Sequence, residues 1–248
     1  MIAPPPSPAG GAFSWPHIAG RDLLLTGAIG IGLIMLAAAI IQSLDATDMA
    51  AASRLNLLIA LYAMWTFAWL AAIWFVFTHR RGVRLSDLGY RVPEPVWALR
   101  AVGFGFAAMP LAFGLFLFLK PILGSETPGD LRGLFGESFT AVHAVAIMLY
   151  AGFLVPVAEE LLFRGLIFRW IRQRLSFWPA ALISAAIFGL AHQRLDQMII
   201  VGLLSLPLAW LTEKSRSLVP AILMHQTYNS LMLMVTFAAV WFQPEASA

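Results

Sequence analysis

Cysteine and charge are what this sequence has least of. None of the 248 residues is cysteine, which excludes disulfides, thiolate zinc sites and a cysteine nucleophile. Only 12% of the residues are charged and 60% are hydrophobic, whereas a soluble domain has about 25% charged and about 45–50% apolar residues. Because so few charges cannot cover a water-soluble protein of this size, the composition excludes an ordinary soluble enzyme, a disordered protein and an exposed nucleic-acid binder.

Long apolar segments predict an all-α protein, a polytopic bundle of transmembrane helices. A spanning helix needs about 20 mostly apolar residues. Seven segments meet or approach this length: Leu23–Leu44, Leu57–Thr78, Ala101–Leu119, Ala141–Trp170, Trp178–Gln193, Gln197–Thr212 and Leu218–Phe242. An eighth span would result if the fourth segment divided at Pro156, an option that we do not favour.

The basic residues are unevenly distributed between the predicted spans. Of the 16 Lys and Arg residues, 12 fall in or beside segments on the same side as the N-terminus, and the other 4 are Arg54, Lys120, Arg132 and Arg194. Because cytoplasmic segments carry the excess of Lys and Arg, this predicts a cytoplasmic N-terminus and, with seven spans, an external C-terminus. The distribution accounts for the net charge of +3 without a nucleic-acid partner.

The sequence predicts one membrane domain preceded by a short tail. Residues 1–20 contain five prolines and no charged side chain, which is typical of a flexible tail and not of a signal peptide. Residues 21–248 form the predicted domain, with a motif-bearing core at 141–242. Residues 123–140 are either a short amphipathic piece at the membrane surface or a plain loop. The high Arg and Ala content is a weak hint of a bacterial source, and the bacterial cytoplasmic membrane is the expected location.

Polar residues within the predicted spans are few and concentrated. Such residues cost several kcal/mol in lipid and usually face a bundle interior or a water-filled cavity. They are Glu159, Glu160 and Arg164 in the fourth span, His192 in the fifth, and His225 and Asn229 in the seventh. Their depths, counted along the helices, permit one shared site. His143, near a predicted helix end, is expected to have a structural role.

The spacing within each cluster places side chains on common helix faces. Residues four apart lie on one face, which pairs Glu160 with Arg164, Phe188 with His192, and His225 with Asn229. Adjacent residues are about 100° apart, so Glu159 faces away from Glu160. The sequence therefore predicts an ion pair between Glu160 and Arg164, with Glu159 free to contact water.

Small and helix-distorting residues accompany these polar groups. Gly152, Gly165 and Gly189 would let neighbouring helices approach closely. Pro156 has no N–H and should free a carbonyl near Gly152. Such a distortion could admit water close to Glu159.

Three motifs occur in order along the second half of the chain. They are E-E-x-x-x-R from Glu159, F-x-x-x-H from Phe188 and H-x-x-x-N from His225. This arrangement, from Glu159 to Asn229, resembles the CPBP family, the CAAX proteases and bacteriocin-processing enzymes also called the Abi family, whose eukaryotic relatives are the type II CAAX prenyl proteases. The segment R-L-S-D-L-G-Y at Arg84–Tyr90 also looks like the family.

The resemblance implies an intramembrane endopeptidase of the glutamate type. Glu159 and His192 would activate the attacking water, and His225 and Asn229 would form the oxyanion hole. Arg164 would be structural, Glu160 would support it, and Phe188 would pack. The substrate would be a membrane-associated protein or peptide. No cofactor is expected: the zincin motif H-E-x-x-H is absent, although Glu159, His192 and His225 could together hold a divalent metal such as zinc.

Two other classes of function remain open at this point. One is a catalytically silent membrane scaffold or bacteriocin-immunity protein of the same fold. The other is a proton-coupled transporter, because intramembrane Glu and His also form proton relays. The transporter is less favoured because no repeated half is visible. Taken singly, the His and Asn residues could also be ordinary cross-helix hydrogen-bonding groups.

Overall fold

The computed structural model describes residues 15–42, 51–124, 139–192 and 194–242. Within these ranges the chain forms seven helices and no strand, which confirms the predicted all-α class. The helices are α1 (Gly20–Gln42), α2 (Ala51–Ile73, continued by a π-helical segment Trp74–Arg80), α3 (Pro95–Leu123), α4 (Ala141–Arg172), α5 (Phe177–Leu190), α6 (Leu195–Ser215) and α7 (Val219–Phe242).

Seven helices occupy the seven predicted positions, but fewer qualify as membrane spans. In the described part of the chain, five are long and apolar enough to cross a bilayer; these lie in α1, α2, α3, α4 and α6. α5 has 14 residues and is therefore about 21 Å long, short of the roughly 30 Å hydrocarbon core. α7 has 24 residues, but the polar run His225–Ser230 lowers its hydropathy. The predicted count of seven spans is thus not confirmed.

Two predicted segments lie largely outside the described residues. The proposed tail is described only from Trp15 onward, where Ile18 is fully buried and Gln173 donates a hydrogen bond to the carbonyl of Pro16. Of the segment 123–140, residues 125–138 are outside the description. α4 begins just after it, where the Thr140 backbone N–H donates to His143 Nδ1 at 3.1 Å. His143 therefore caps this helix.

α4 is continuous but irregular. It does not divide at Pro156; instead, α-helical turns alternate with π-helical segments at Met148–Leu154 and Leu161–Phe168. A π-helix closes its hydrogen bonds five residues back instead of four, and such segments are frequent at functional sites. Glu159 and Glu160 end the short α-helical stretch between the two π-helical segments.

Close helix contacts fix the second half of the bundle. α5 and α6 form an antiparallel hairpin in which a Cβ on Gly189 would lie only 2.4 Å from the carbonyl oxygen of Met198. α3 packs on α7, and a Cβ on Gly105 would lie 2.5 Å from Cβ of Thr227. These two glycines allow backbone approaches that any larger residue would prevent.

The Arg-rich ends of the helices meet at one end of the bundle. There the start of α1 meets the end of α2, the start of α5 meets the end of α4, the ends of α4 and α6 lie side by side, and the connections before α3 and α7 meet, as expected for helices that alternate in direction. The contacts are the ion pair of Arg81 with Asp22, the ion pair of Arg172 with Glu213 at 2.9 Å, the ring contact of Phe168 with Phe177 at 6.2 Å, and the hydrogen bond from Leu218 N–H to Gly89 O at 2.8 Å.

We predict that this Arg-rich end faces the cytoplasm, because the positive-inside rule places most Lys and Arg there. Single cysteines introduced at Ser86, in the α2–α3 connection at this end, and at Ala248 should be labelled from opposite sides of the membrane by an impermeant thiol reagent. The cysteine-free parent chain is the matched control. Labelling of both positions from one side would contradict a seven-pass arrangement.

Candidate active site

The first π-helical segment of α4 explains how Asn229 is held. Val155 donates its N–H to a carbonyl five residues back, so in the same register the next residue, Pro156, would donate to Ala151. Proline has no N–H, and the side-chain Nδ2 of Asn229 donates to the Ala151 carbonyl at 3.0 Å instead. The freed carbonyl predicted near Gly152 is thus one residue earlier, because the register is π-helical.

A fully buried ion pair lies one turn further along α4. Arg164 Nη1 donates to Glu160 Oε1 at 2.9 Å, and both side chains are fully buried. This confirms the predicted pairing. The second amino group of Arg164 donates to Ser205 Oγ on α6 at 2.7 Å, and the guanidinium lies 4.4 Å from the ring centroid of Phe188 on α5. Arg164 therefore joins three helices.

His225 of α7 lies between the two adjacent glutamates. Its Nδ1 is 2.8 Å from Glu160 Oε1; because a carboxylate only accepts, the imidazole Nδ1–H is the donor. Its Nε2 is 3.7 Å from Glu159 Oε2. Glu160 thus accepts from both Arg164 and His225, and its partnership with His225 is a contact that the sequence analysis missed.

His192 follows the end of α5, at the turn into α6. Its Nδ1 is 3.0 Å from the carbonyl oxygen of Phe188, so Nδ1 carries the proton and Nε2 is the ring nitrogen left for other partners. Phe188 is buried and makes edge-to-face contacts with both His192 and His225, at centroid distances of 5.4 and 6.0 Å. Phe188 therefore orients the two histidines by packing.

The four predicted catalytic residues line one cavity of about 190 Å³ inside the bundle. Glu159, His192, His225 and Asn229 supply its polar groups. The remaining wall is mostly apolar, and Tyr228 adds a phenol that sequence reasoning did not single out. Glu159 is about one-eighth exposed, whereas Glu160 is not exposed at all. Only Glu159 of this pair can meet a water molecule in the cavity.

Comparisons with known proteins point to one family for this region. Residues 141–231 match the family model described as type II CAAX prenyl endopeptidase Rce1-like. The region that carries the site is therefore similar to this family. A Bacillus subtilis (strain 168) protein named "Putative membrane peptidase YdiL" is 27% identical over 100 residues, which cover 40% of this chain and 41% of that protein. No solved structure gives a significant match.

A metal site in this cavity is the alternative that the sequence left open. Within the described residues, no group of three His, Asp or Glu side chains is placed so as to hold a metal ion. In the alternative set of Glu159, His192 and His225, Nδ1 of His225 is bonded to Glu160 and its Nε2 lies 3.7 Å from Glu159. Metal dependence stays a prediction, addressed below.

The geometry predicts that Glu160 is needed for folding. Glu160→Gln would leave the Arg164 guanidinium without its counter-charge in a fully buried position, and breaking such a pair costs about 3–5 kcal/mol. The variant should show a lower unfolding temperature in detergent and lower yield. Glu94→Gln, at an exposed position before α3, is the matched control and should behave as the parent. A Glu160→Gln protein as stable as the parent would contradict the assignment.

Proposed function

We propose that this chain is an intramembrane endopeptidase that hydrolyses a peptide bond in a membrane-associated protein or peptide. The observation that carries the proposal is the cavity in which Glu159 of α4, His192 after α5, and His225 and Asn229 of α7 line one space beside a buried ion pair. The similarity of residues 141–231 to the type II CAAX prenyl endopeptidase family model supports the same class of reaction. We place the protein in the bacterial cytoplasmic membrane with its N-terminus in the cytoplasm.

In the proposed mechanism Glu159 is the general base. Amide hydrolysis requires a water molecule whose proton is removed as it attacks the carbonyl carbon; the C–N bond then breaks as the base returns that proton to the leaving amine nitrogen. Of the two adjacent glutamates, Glu159 is the one whose carboxylate reaches the cavity. Among the described contacts, no hydrogen-bond partner occupies this carboxylate, and the nearest group, Nε2 of His225, is 3.7 Å away. His192 is the second group proposed to activate the water. Its Nδ1 is bonded to a backbone carbonyl, so its Nε2 can accept a hydrogen bond or a proton from the water.

His225 and Asn229 are the proposed donors to the developing oxyanion. Preorganised N–H groups that meet the charge only as it forms are effective in a low-dielectric site. The Nδ1–H of His225 is bound to Glu160, so a proton on Nε2 makes the ring a cation that can donate into the cavity. The amide of Asn229 uses one N–H for the Ala151 carbonyl and has a second N–H to offer.

Glu160 is a positioning residue in this mechanism. It receives the Nδ1–H of His225 and so fixes which ring nitrogen faces the cavity, the same arrangement by which a carboxylate sets the tautomer of a catalytic histidine. Arg164 holds Glu160 in turn through its hydrogen bond, and Arg164 is itself fixed by its hydrogen bond to Ser205. The mostly apolar wall of the cavity suits a peptide that enters from the membrane.

The function is tested by Glu159→Gln. This change keeps the size of the side chain but removes the base, so cleavage per folded molecule should fall by about 10²-fold or more. The unfolding temperature should stay close to that of the parent, because Glu159 takes no part in the buried ion pair. The measurement compares membrane peptides, by proteomics, from cells that produce the parent or the variant; Glu94→Gln is the control.

Two outcomes would contradict this assignment. If Glu159→Gln remains active while a well-folded Glu160→Gln is inactive, the base is the other glutamate. If the parent and Glu159→Gln give the same membrane peptides, and purified parent cleaves none of the candidate peptides, the protein is a silent scaffold or a transporter of this fold.

We further predict that the activity needs no metal ion. The Glu159 mechanism supplies its base and its oxyanion donors from side chains alone, so purified enzyme should keep its activity after exhaustive chelation. The metal content of the same sample, measured by mass spectrometry, is the control that the chelation succeeded. Loss of activity that is restored by one equivalent of zinc would refute the glutamate mechanism.

A further inference from the structure

A second cavity, of about 470 Å³, lies at the Arg-rich end of the bundle, far along α4 from the glutamates. Its volume is in the range of small-ligand sites. It lies between the ends of α4 and α6 and beneath Trp15, the first described residue. Four basic residues and one acidic residue line it: Arg169, Arg172, Lys214, Arg216 and Glu213. The lining thus has an excess of three positive charges.

Two of the four cationic side chains of this cavity, Arg169 and Arg172, are held in place. Arg169 is buried; its Nε donates to the Arg164 carbonyl at 3.2 Å, and its guanidinium lies over the ring of Trp15. Arg172 is bound by Glu213, with Nη2 2.9 Å from Oε1. Glu213 therefore fixes one wall of the cavity, and it is the one acidic residue in the lining, beside both Arg172 and Arg169. A guanidinium held in this way is suited to the oxygen atoms of a phosphate.

Arg216 stands in a backbone conformation that favours glycine. It ends α6 with φ 53° and ψ 30°, and it is the only residue other than glycine with positive φ in the described part of the chain. The left-handed backbone conformation is unfavourable for a residue with a Cβ atom, such as Arg. Residues in such conformations concentrate at functional sites. Glycine would fit this backbone conformation better. The presence of Arg at this position is therefore better explained by its positive charge at the rim of the cavity.

We propose that this cavity binds a phosphate group, with the headgroup of an anionic phospholipid as its expected carrier. Basic pockets between helices on the cytoplasmic side of membrane proteins bind the headgroups of anionic lipids. The cavity has the required charge, lies at the end of the helices where a headgroup would sit, and includes Trp15, a residue type that is enriched at this level of the membrane. The site is separate from the proposed peptidase cavity and does not rest on peptidase activity.

The experiment uses the full-length protein in neutral detergent micelles. Short-chain phosphatidylglycerol is added stepwise, and its apparent affinity is taken from the concentration dependence of the unfolding temperature. Short-chain phosphatidylcholine and inorganic phosphate are titrated in parallel. We expect a saturable rise with phosphatidylglycerol and a much weaker one with phosphatidylcholine, which carries no net charge. A saturable response to inorganic phosphate alone would support the phosphate site and assign its source to the free ion.

Two single variants test which residues bind. Arg216→Gly removes the charge and relieves the left-handed strain, so the unliganded protein should be at least as stable as the parent. Lys214→Gln removes the neighbouring charge. Because each variant removes one positive charge from the lining of the cavity, each should weaken phosphatidylglycerol binding by about fivefold, which corresponds to about 1 kcal/mol. Arg80→Ala, an exposed basic residue at the same end but outside the cavity, is the control and should bind as the parent.

Three results would overturn the proposal. The first is the absence of a saturable response to both phosphatidylglycerol and phosphate. The second is an equal response to phosphatidylglycerol and phosphatidylcholine. The third is a loss of affinity in Arg80→Ala equal to that in Arg216→Gly and Lys214→Gln, which would indicate a diffuse surface charge instead of a site.

Discussion

The buried pair of Glu160 and Arg164 is the interaction on which the second half of this bundle depends. Neither side chain is exposed, and an unpaired charge in this position would be strongly destabilising. The further contacts of the pair reach three other helices, because Arg164 contacts Phe188 and Ser205 while Glu160 accepts from His225. A single charge pair therefore links four helices.

The sequence predicted those parts of the structure that depend on local spacing. Apolar runs located all seven helices, and the four-residue interval between Glu160 and Arg164 predicted their ion pair. It could not predict the bond between Glu160 and His225, since this depends on the rotation of α7 against α4 across 65 residues of chain. Ser205 carried no signal, being one hydroxyl in an otherwise apolar helix. The Ala151 carbonyl was misplaced by one residue because a π-helical register is not visible in residue spacing.

The irregularity of α4 connects its backbone to the chemistry of the cavity. Proline within a helix leaves a carbonyl without its donor, and in lipid such a group must find another partner. Asn229 of α7 supplies the missing donor to this carbonyl. This hydrogen bond fixes the position of α7 along the axis of α4. His225 lies one turn earlier on the same face as Asn229 and is thereby set against the two glutamates. One backbone defect thus helps to bring the site residues of two helices into register.

The polarity that the site requires also weakens the membrane character of the helix that carries it. The run His225–Ser230 leaves α7, with 24 residues, outside the set of helices whose hydropathy suffices for spanning. Three of its polar side chains have partners on another helix: His225 is bonded to Glu160, Asn229 to the Ala151 carbonyl, and Gln226 to the Phe153 carbonyl at 3.0 Å. All three partners lie on α4. Because hydrogen-bonded polar groups are far less costly in lipid than free ones, α7 is compatible with the membrane chiefly as a neighbour of α4. Assembly of the site and stable insertion of α7 therefore depend on the same contacts.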